Sequence, residues 1–125
     1  CGEQCINRMM HIECSANFCP CKQLCTNQRF QRRQWRKTQV FKTANKGYGL
    51  KAMENVPAGA FVVEYVGELI STQECQRRLA AATSADVNFY YLTISASLAI
   101  DAGRVGNDAR FINHSCAPNC ETQKW

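Results

Sequence analysis

The sequence lacks any apolar run near the roughly 20 residues that a membrane-spanning helix requires. It also lacks the basic start, apolar stretch and cleavage site of a secretory signal peptide. These absences exclude a membrane span within the chain and leave no targeting segment visible. The first residue is Cys1 rather than Met, and the chain ends at Trp125 within a predicted strand. We therefore expect a fragment, and a signal ahead of residue 1 stays open.

Charge is distributed unevenly along the chain. Residues 1–51 carry ten Lys and Arg against two Glu, whereas residues 52–125 carry five basic against eight acidic residues. A basic half joined to a mildly acidic half suits a protein that lies on a polyanion while it accepts a cationic substrate elsewhere. The alternative is that these charged residues are ordinary solvated surface groups, and the charge distribution by itself favours this alternative.

Cysteine is concentrated at the start of the chain. Six of the nine cysteines lie within the first 25 residues: Cys1, Cys5, Cys14, Cys19, Cys21 and Cys25. This segment has too few apolar residues for a core of its own, so disulfides or metal ions must hold it. Disulfides would suit a secreted miniprotein, and tetrahedral thiolate–zinc sites would suit a reducing compartment. The rest of the chain looks intracellular, which favours zinc.

The secondary-structure signals predict a mainly β chain. β-Branched and aromatic residues predict strands at 39–43, 48–52, 61–68, 88–94 and 98–102, with a turn at 44–47 and another at 103–107. Ser71 and Glu74 have the spacing of a capping box, which predicts a short amphipathic helix over 74–82. Cys75 and Leu79 would lie on the packing side of that helix.

The most informative stretch is residues 110–120, which read RFINHSCAPNC. It combines a guanidinium, two amides, an imidazole and two thiols among turn-forming residues, a mixture too polar for a core. The stretch resembles the R-F-x-N-H-S-C-x-P-N-C signature of SET-domain lysine methyltransferases. The ending at 121–125, ETQKW, is similar to the branch that methylates histone H3 on lysine 36.

The cysteine spacing C-x3-C-x8-C-x4-C-x5-C resembles the AWS (associated with SET) module, in which two zinc ions share one cysteine. The resemblance implies that Cys1 is shared, that Cys14, Cys19 and Cys25 complete one site, and that Cys5 belongs to the other. Two further ligands of that second site, a C-x-C pair, would precede residue 1. Cys116 would bind a third zinc beyond the SET domain. We interpret Cys21 as a spare thiol, with a substitute ligand as the alternative.

Two further stretches resemble cofactor-binding elements of the same family, the G-Y-G turn at 47–49 and the N-F-Y-x-L-T strand at 88–93. The resemblance implies that Tyr90 is the catalytic residue, lining the lysine channel and orienting the amine. His114 is expected to act through its backbone. The implied contacts with S-adenosylmethionine come from Lys46, Gly47, Tyr48, Asn88, Phe89, Tyr90, Asn113 and His114.

The resemblance covers essentially the whole chain and implies a SET-domain (β-clip) fold of short sheets with one short helix. A small zinc-binding AWS module precedes it, and the fold is truncated at both ends. We expect the AWS module at 1–30, a basic linker at 31–38 and the SET domain at 39–125. Phe30, at the end of the AWS module, and Trp35, in the linker, are candidates to anchor the two modules together.

The implied function is an S-adenosylmethionine-dependent histone-lysine N-methyltransferase with structural zinc, located in the nucleus on the chromosome. Its expected partners are the histone H3 tail and nucleosomal DNA, the latter bound by the basic N-terminal half, with no membrane. The chain alone is expected to be inactive or nearly so, because the C-terminal tyrosine motif and post-SET cysteines are missing. It is also expected to be poorly stable, because the family fold threads its C-terminal segment under a loop near Asn113. A non-catalytic zinc-dependent chromatin-binding module is the alternative, and a disulfide-rich secreted domain is a third reading.

Overall fold

The computed structural model describes residues 1–83 and 88–125. The cysteine-rich start contains helix α1 and a short 3-10 helix, and the remainder contains five strands, helix α2 and a second 3-10 helix. In chain order these are α1 (Ile6–Met9), the 3-10 helix Lys22–Leu24, β1 (Thr38–Lys42), β2 (Tyr48–Ala52), β3 (Gly67–Ser71), α2 (Thr72–Ala81), β4 (Tyr91–Thr93), β5 (Leu98–Gly106) and the 3-10 helix Asp108–Phe111. This arrangement confirms the mainly β fold class.

The first sheet is the antiparallel hairpin β1–β2, in which Val40 lies opposite Leu50. Its turn is closed by Thr43, whose backbone N–H donates to the Gly47 carbonyl at 2.8 Å. Gly47 has a φ of +64°, in the left-handed region that glycine adopts without a steric penalty. Both predicted strands and the turn between them are therefore confirmed.

The second sheet has the order β3–β5–β4, with both outer strands antiparallel to β5. Ile100 on β5 lies opposite Leu69 of β3 and Leu92 of β4. The register shifts at Gly67, where an added Cβ would stand only 2.6 Å from the Asp101 carbonyl oxygen. Only glycine therefore lets β3 approach β5 so closely at this point.

Helix α2 is confirmed as a capped helix packed beside this sheet. The Ser71 hydroxyl accepts a hydrogen bond from the Glu74 backbone N–H at 3.1 Å, the first half of the predicted capping box. The second half is absent, because the Glu74 carboxylate binds Arg77 and Arg78 instead. Arg78 also binds Glu68 on β3 at 2.8 Å and Asp101 on β5 at 2.7 Å, and this ties the helix to the sheet.

The prediction of a strand over 61–68 is wrong for all but its last two residues. Backbone groups of this stretch find single partners instead of a neighbouring strand. The Val62 carbonyl accepts from Arg36 N–H at 2.8 Å. The Glu64 carbonyl accepts from Asn107 Nδ2 at 2.8 Å, and Val66 N–H donates to Asn107 Oδ1 at 3.4 Å. The side-chain amide of Asn107 therefore satisfies backbone hydrogen-bonding groups that a neighbouring strand would otherwise satisfy.

Three other boundaries differ from the predictions. β4 begins only at Tyr91, so residues 88–90 lie outside the strand. β5 continues to Gly106, where it pairs with Gly67, so no turn forms at 103–107. Residues 121–125 form no strand, and the Trp125 ring packs on Phe30 with ring centroids 5.8 Å apart. Within residues 1–83 and 88–125, no helix combines the length and apolar character that membrane crossing requires.

Candidate functional site

The first candidate site is a cluster of four thiols, which we call the four-thiol cluster. The Sγ atoms of Cys1, Cys14, Cys19 and Cys25 all lie within 4.8 Å of one another. Cys1 Sγ is 3.3 Å from Cys19 Sγ and 3.8 Å from Cys14 Sγ. Four thiolates held tetrahedrally at about 2.3 Å from Zn²⁺ stand about 3.8 Å apart. The donor set and its spacing therefore fit a structural zinc ion.

Hydrogen-bond donors surround this cluster and stabilise the thiolate form. The amide Nδ2 of the fully buried Asn27 lies 3.4 Å from Cys14 Sγ, and its backbone N–H donates to Cys25 Sγ at 3.4 Å. Asn7 Nδ2 adds a third donor at 3.6 Å from Cys14 Sγ. The bond from Asn27 is the main reason that the pKa of Cys14 is lowered to about 7. The pKa of Cys25 shifts in the opposite direction: burial of this thiol raises it.

The other predicted metal ligands lie at the edge of the cluster or elsewhere. Cys5 Sγ is 3.6 Å from Cys14 Sγ, and Cys21 Sγ is 3.6 Å from Cys1 Sγ. Cys116 is exposed in a different part of the chain, with its sulfur 3.9 Å from His114 Nε2. All nine cysteines are free thiols, so no disulfide holds the N-terminal segment.

The second candidate site lies where the β1–β2 turn meets the 110–120 stretch. Asn113 Nδ2 donates to the Tyr48 carbonyl at 2.8 Å, and Lys46 Nζ donates to the His114 carbonyl at 3.1 Å. These bonds join residues more than 60 positions apart in the sequence. Four predicted cofactor residues are thereby gathered at one place, and His114 contributes through its backbone.

Aromatic rings continue this site toward the sheet. Phe111 lies between Tyr48 and Tyr90, with ring centroids 5.8 and 5.7 Å away. The Arg110 guanidinium lies 5.2 Å from the centre of the Tyr90 ring and donates to the Ala102 carbonyl at 3.3 Å. Phe111 and Arg110 therefore hold Tyr90 near Tyr48, the first residue of β2.

Asn88 and Phe89 are placed differently from the other predicted cofactor residues. Both are exposed, and Phe89 stacks on Tyr91 at 6.2 Å with nearly parallel rings. Phe89 therefore contacts β4 rather than the aromatic group around Phe111.

The surface at this junction fits a cofactor that needs both an aromatic face and backbone polar groups. Tyr48 is 53% exposed, and Asn113 and His114 are exposed as well. A Cβ placed on Gly47 would have no heavy atom within 4 Å, so open space adjoins the turn. The site is thus open to a ligand on the side that presents these groups.

One residue that organises this site was missed by the sequence reasoning, which assigned Asn107 only to a turn. Its side chain binds the backbone of Glu64 and Val66 and also accepts from Ala109 N–H at 3.3 Å. Asn107 therefore fixes the 61–66 segment to the 3-10 helix that carries Arg110 and Phe111. The available signal was an Asn directly ahead of a helical segment, a preferred N-cap residue.

The basic N-terminal half contains charges with different roles. The Arg29 guanidinium lies 5.2 Å from the Phe61 ring and 4.9 Å from the Trp125 ring, and burial lowers its pKa. Phe30 packs on Phe61 at 4.7 Å and so joins the cysteine-rich segment to the following domain, as predicted. Arg29 is therefore occupied by internal contacts. The exposed basic residues include Arg33, Lys37 and Lys42.

Comparison with protein families gives two matches that together cover most of the chain. The AWS domain matches residues 1–33, and the SET domain matches residues 47–125. Among solved structures, the crystal structure of KRYPTONITE in complex with mCHG DNA and SAH has a TM-score of 0.52 and 43% identity. It covers 66% of this chain and 15% of that chain.

Curated relatives align over the whole chain. Histone-lysine N-methyltransferase ASHH2 of Arabidopsis thaliana is 48% identical over 126 residues. The Homo sapiens histone-lysine N-methyltransferase, H3 lysine-36 specific, is 48% identical over 128 residues, and Homo sapiens SETD2 is 44% identical over 126 residues. The chain spans only 5–7% of the length of these three relatives.

Proposed function

The chain belongs to the SET-domain family and carries an AWS domain, and from this premise we propose that it acts in a histone-lysine N-methyltransferase. The proposed reaction transfers a methyl group from S-adenosylmethionine to lysine 36 of histone H3 in nucleosomes. Relatives named for this activity support the reaction, one of them named for H3 lysine 36. The SAH in the similar solved structure supports the cofactor, since SAH is what S-adenosylmethionine becomes after it loses its methyl group.

The observation that carries this proposal is the junction between the β1–β2 turn and the 110–120 stretch. The bonds from Asn113 to Tyr48 and from Lys46 to His114 gather residues that the family signature assigns to the cofactor. Tyr90 reaches the same junction through Phe111. Residues distant in sequence thus form a single open site with a tyrosine at its edge.

The chain's own residues have positioning and desolvating roles in the proposed reaction. When bound, S-adenosylmethionine supplies an electrophilic methyl group on a positively charged sulfur. Tyr90 orients the substrate amine through its hydroxyl, and the rings of Tyr90 and Phe111 exclude water from the amine's path. An apolar surrounding lowers the pKa of a lysine ammonium, so its proton leaves to solvent before attack. Asn113 and Lys46 keep the turn beside the signature segment.

We assign a structural role to zinc. The proposed ligands of the first ion are Cys1, Cys14, Cys19 and Cys25, whose spacing and buried amide donors suit it. Cys5 is proposed for a second ion, and Cys116 for a third that requires ligands outside this chain. This zinc module at 1–30 joins the SET domain at 39–125 through the basic linker at 31–38.

The proposed partners are the histone H3 tail and nucleosomal DNA, which places the protein in the nucleus on the chromosome. The exposed Arg33, Lys37 and Lys42 are suited to phosphate contacts that do not depend on base sequence. Arg29 is not assigned to this surface, because its guanidinium packs between aromatic rings.

The test is transfer of labelled methyl groups from S-adenosylmethionine to recombinant nucleosomes by the protein in its full length. Label is expected on histone H3 and is expected to disappear when lysine 36 of the substrate is replaced by alanine. The Tyr90→Phe variant should lose about tenfold or more in rate, because the amine loses its orienting hydroxyl. Tyr91→Phe is the matched control, since Tyr91 is the next residue along the chain.

Three outcomes separate the alternatives. Label on another histone lysine would keep the enzyme but reject its specificity. Equal rates for Tyr90→Phe and Tyr91→Phe would reject the role of Tyr90. An absence of label on every histone, with zinc and nucleosome binding intact, would favour a non-catalytic chromatin-binding module.

A further inference from the structure

The carboxylate of Asp101 is an almost buried charge on β5, the central strand of the second sheet. Its side chain is 10% exposed, and the residue lies opposite Glu68 of β3. Asp101 Oδ2 accepts from Arg78 Nη1 at 2.7 Å, and Oδ1 accepts from the Gly103 N–H at 2.8 Å. A buried carboxylate is stable only when it is paired with a cation and its oxygens are hydrogen-bonded. Asp101 meets both needs and thereby fixes the backbone at 101–103 to helix α2.

Tyr90 is attached to the same short stretch of β5 at two points. The Ala102 N–H donates to the Tyr90 carbonyl at 2.9 Å. The Arg110 guanidinium lies 5.2 Å from the centre of the Tyr90 ring. This guanidinium also donates to the carbonyls of Ala102 and Gly103, at 3.3 and 3.4 Å. The backbone and the ring of Tyr90 therefore both depend on where residues 102 and 103 lie.

Arg78 is itself held by two further carboxylates. It binds Glu68 on β3 through Nη1 at 2.8 Å and Nη2 at 2.9 Å, and its Nε binds Glu74 on α2 at 2.8 Å. A planar guanidinium that meets several carboxylates has a fixed orientation, which a single flexible ammonium does not reproduce. Arg78 therefore presents Nη1 to Asp101 from a rigid support.

We propose that Arg78 and Asp101 are positioning residues for methyl transfer, which hold Tyr90 where its hydroxyl meets the substrate amine. This inference rests on the proposed function, because it concerns the tyrosine of that reaction. Within the described residues, the pair makes no hydrogen bond to Tyr48 or Asn113 of the proposed cofactor site. Its effect is therefore expected on the orientation of the amine and not on cofactor binding.

The first test compares Arg78→Gln with Arg77→Gln in the full-length protein, by transfer of labelled methyl groups to recombinant nucleosomes. Arg77 is the matched control, because in the described part of the chain it binds Glu74 but not Asp101. Arg78→Gln should lower kcat about tenfold and leave the KM for S-adenosylmethionine unchanged, since a small misplacement of an orienting group slows the chemical step. Arg77→Gln should keep the wild-type kcat. Arg78→Lys, which retains a positive charge for Asp101, should recover part of the lost rate.

A double variant separates positioning from a general loss of folded protein. In a Tyr90→Phe background there is no hydroxyl to orient, so Arg78→Gln should lower kcat by a much smaller factor than it does when Tyr90 is present. Equal factors in the two backgrounds would overturn the positioning role, because a loss of folded protein lowers both rates alike. Equal kcat values for Arg78→Gln and Arg77→Gln would overturn it as well.

The placement of Tyr90 is also measurable without turnover, by hydroxyl-radical footprinting read by mass spectrometry. Arg78→Gln should raise the oxidation of Tyr90 relative to that of Tyr48, which is 53% exposed and serves as a reference in the same molecule. Asp101→Asn should do the same, because its amide keeps an acceptor for the Gly103 N–H but loses the charge that pairs with Arg78.

The footprinting result distinguishes failure of this inference from failure of the proposed function. Wild-type oxidation of Tyr90 in both Arg78→Gln and Asp101→Asn would show that the pair does not place this ring, whatever the activity of the protein. The expected change in oxidation, in a protein that labels no histone, would instead overturn the proposed methyl transfer and with it a positioning role in that reaction.

Discussion

Asn107 shows how a single side chain can determine the path of a whole segment. Its amide binds the Glu64 carbonyl, Val66 N–H and Ala109 N–H, so it replaces a neighbouring strand. Asn107→Ala should leave these backbone groups without partners and lower the free energy of unfolding by about 1–3 kcal/mol. Urea denaturation measures this loss. Asn119→Ala, at an exposed position, should change stability little, and equal effects of the two variants would contradict the role of Asn107.

At the same scale, the family resemblance named residues of both candidate sites that the fold brings close together. The resemblance of the cysteine spacing to the AWS module implied one site formed by Cys1, Cys14, Cys19 and Cys25, whose Sγ atoms the fold brings within 4.8 Å of one another. It could not predict that Cys21 lies against Cys1, because that contact depends on the turn around Pro20. Nor could it predict that Phe89 stacks on Tyr91, since ring orientation depends on where β4 begins.

Helix α2 is held by an ion-pair network whose strength depends on pH. The carboxylate of Glu74 accepts from Arg77 at 2.7 Å and from Arg78 at 2.8 Å, and these bonds lower its pKa from 4.5 to about 2. Because the folded pKa lies below the unfolded one, the stabilisation is complete above about pH 4.5 and is lost as pH falls toward 2.

Glu74→Gln should therefore be less stable than wild type at pH 6, and the difference should shrink as pH is lowered to 3. Urea midpoints of the two proteins across this range give the measurement. Protonation of thiols affects both proteins alike, so the difference isolates Glu74. Glu121→Gln, near the exposed end of the chain, is the control. A difference between Glu74→Gln and wild type that stays constant with pH would contradict the network's contribution.

Elements with local signals were predicted well, and elements with distant partners were not. The β1–β2 hairpin and the Ser71 cap depend on residues close in sequence, and both are present. The 61–66 segment has strong strand propensity but bonds to Arg36 and Asn107 instead. β5 extends beyond its predicted end because Gly106 pairs with Gly67, almost forty residues earlier. The strand propensity of a segment carries no information about which distant residues it will bond to.

At the scale of the whole molecule, little apolar surface is fully buried among residues 1–83 and 88–125. The buried apolar residues in the part of the chain that the structure describes are Cys14, Cys19, Cys25, Ile70, Ala99, Ala102 and Ala109. Three of these seven are thiols of the four-thiol cluster, and three are alanines. We therefore expect the N-terminal segment to depend for order on the zinc ion proposed for this cluster, whereas the second sheet has a small core around Ile70.

Metal removal should consequently unfold one part of the molecule before the other. Hydrogen exchange after treatment with a chelator is expected to show loss of protection at residues 1–30, including Cys14 N–H, which donates to the Asn27 carbonyl at 2.9 Å. Amides of the β3–β5 ladder should keep their protection, because no cysteine of the four-thiol cluster lies in that sheet. Re-addition of zinc should restore the protection of amides in residues 1–30. Unchanged protection at residues 1–30 in metal-free protein would show that packing rather than zinc holds this segment.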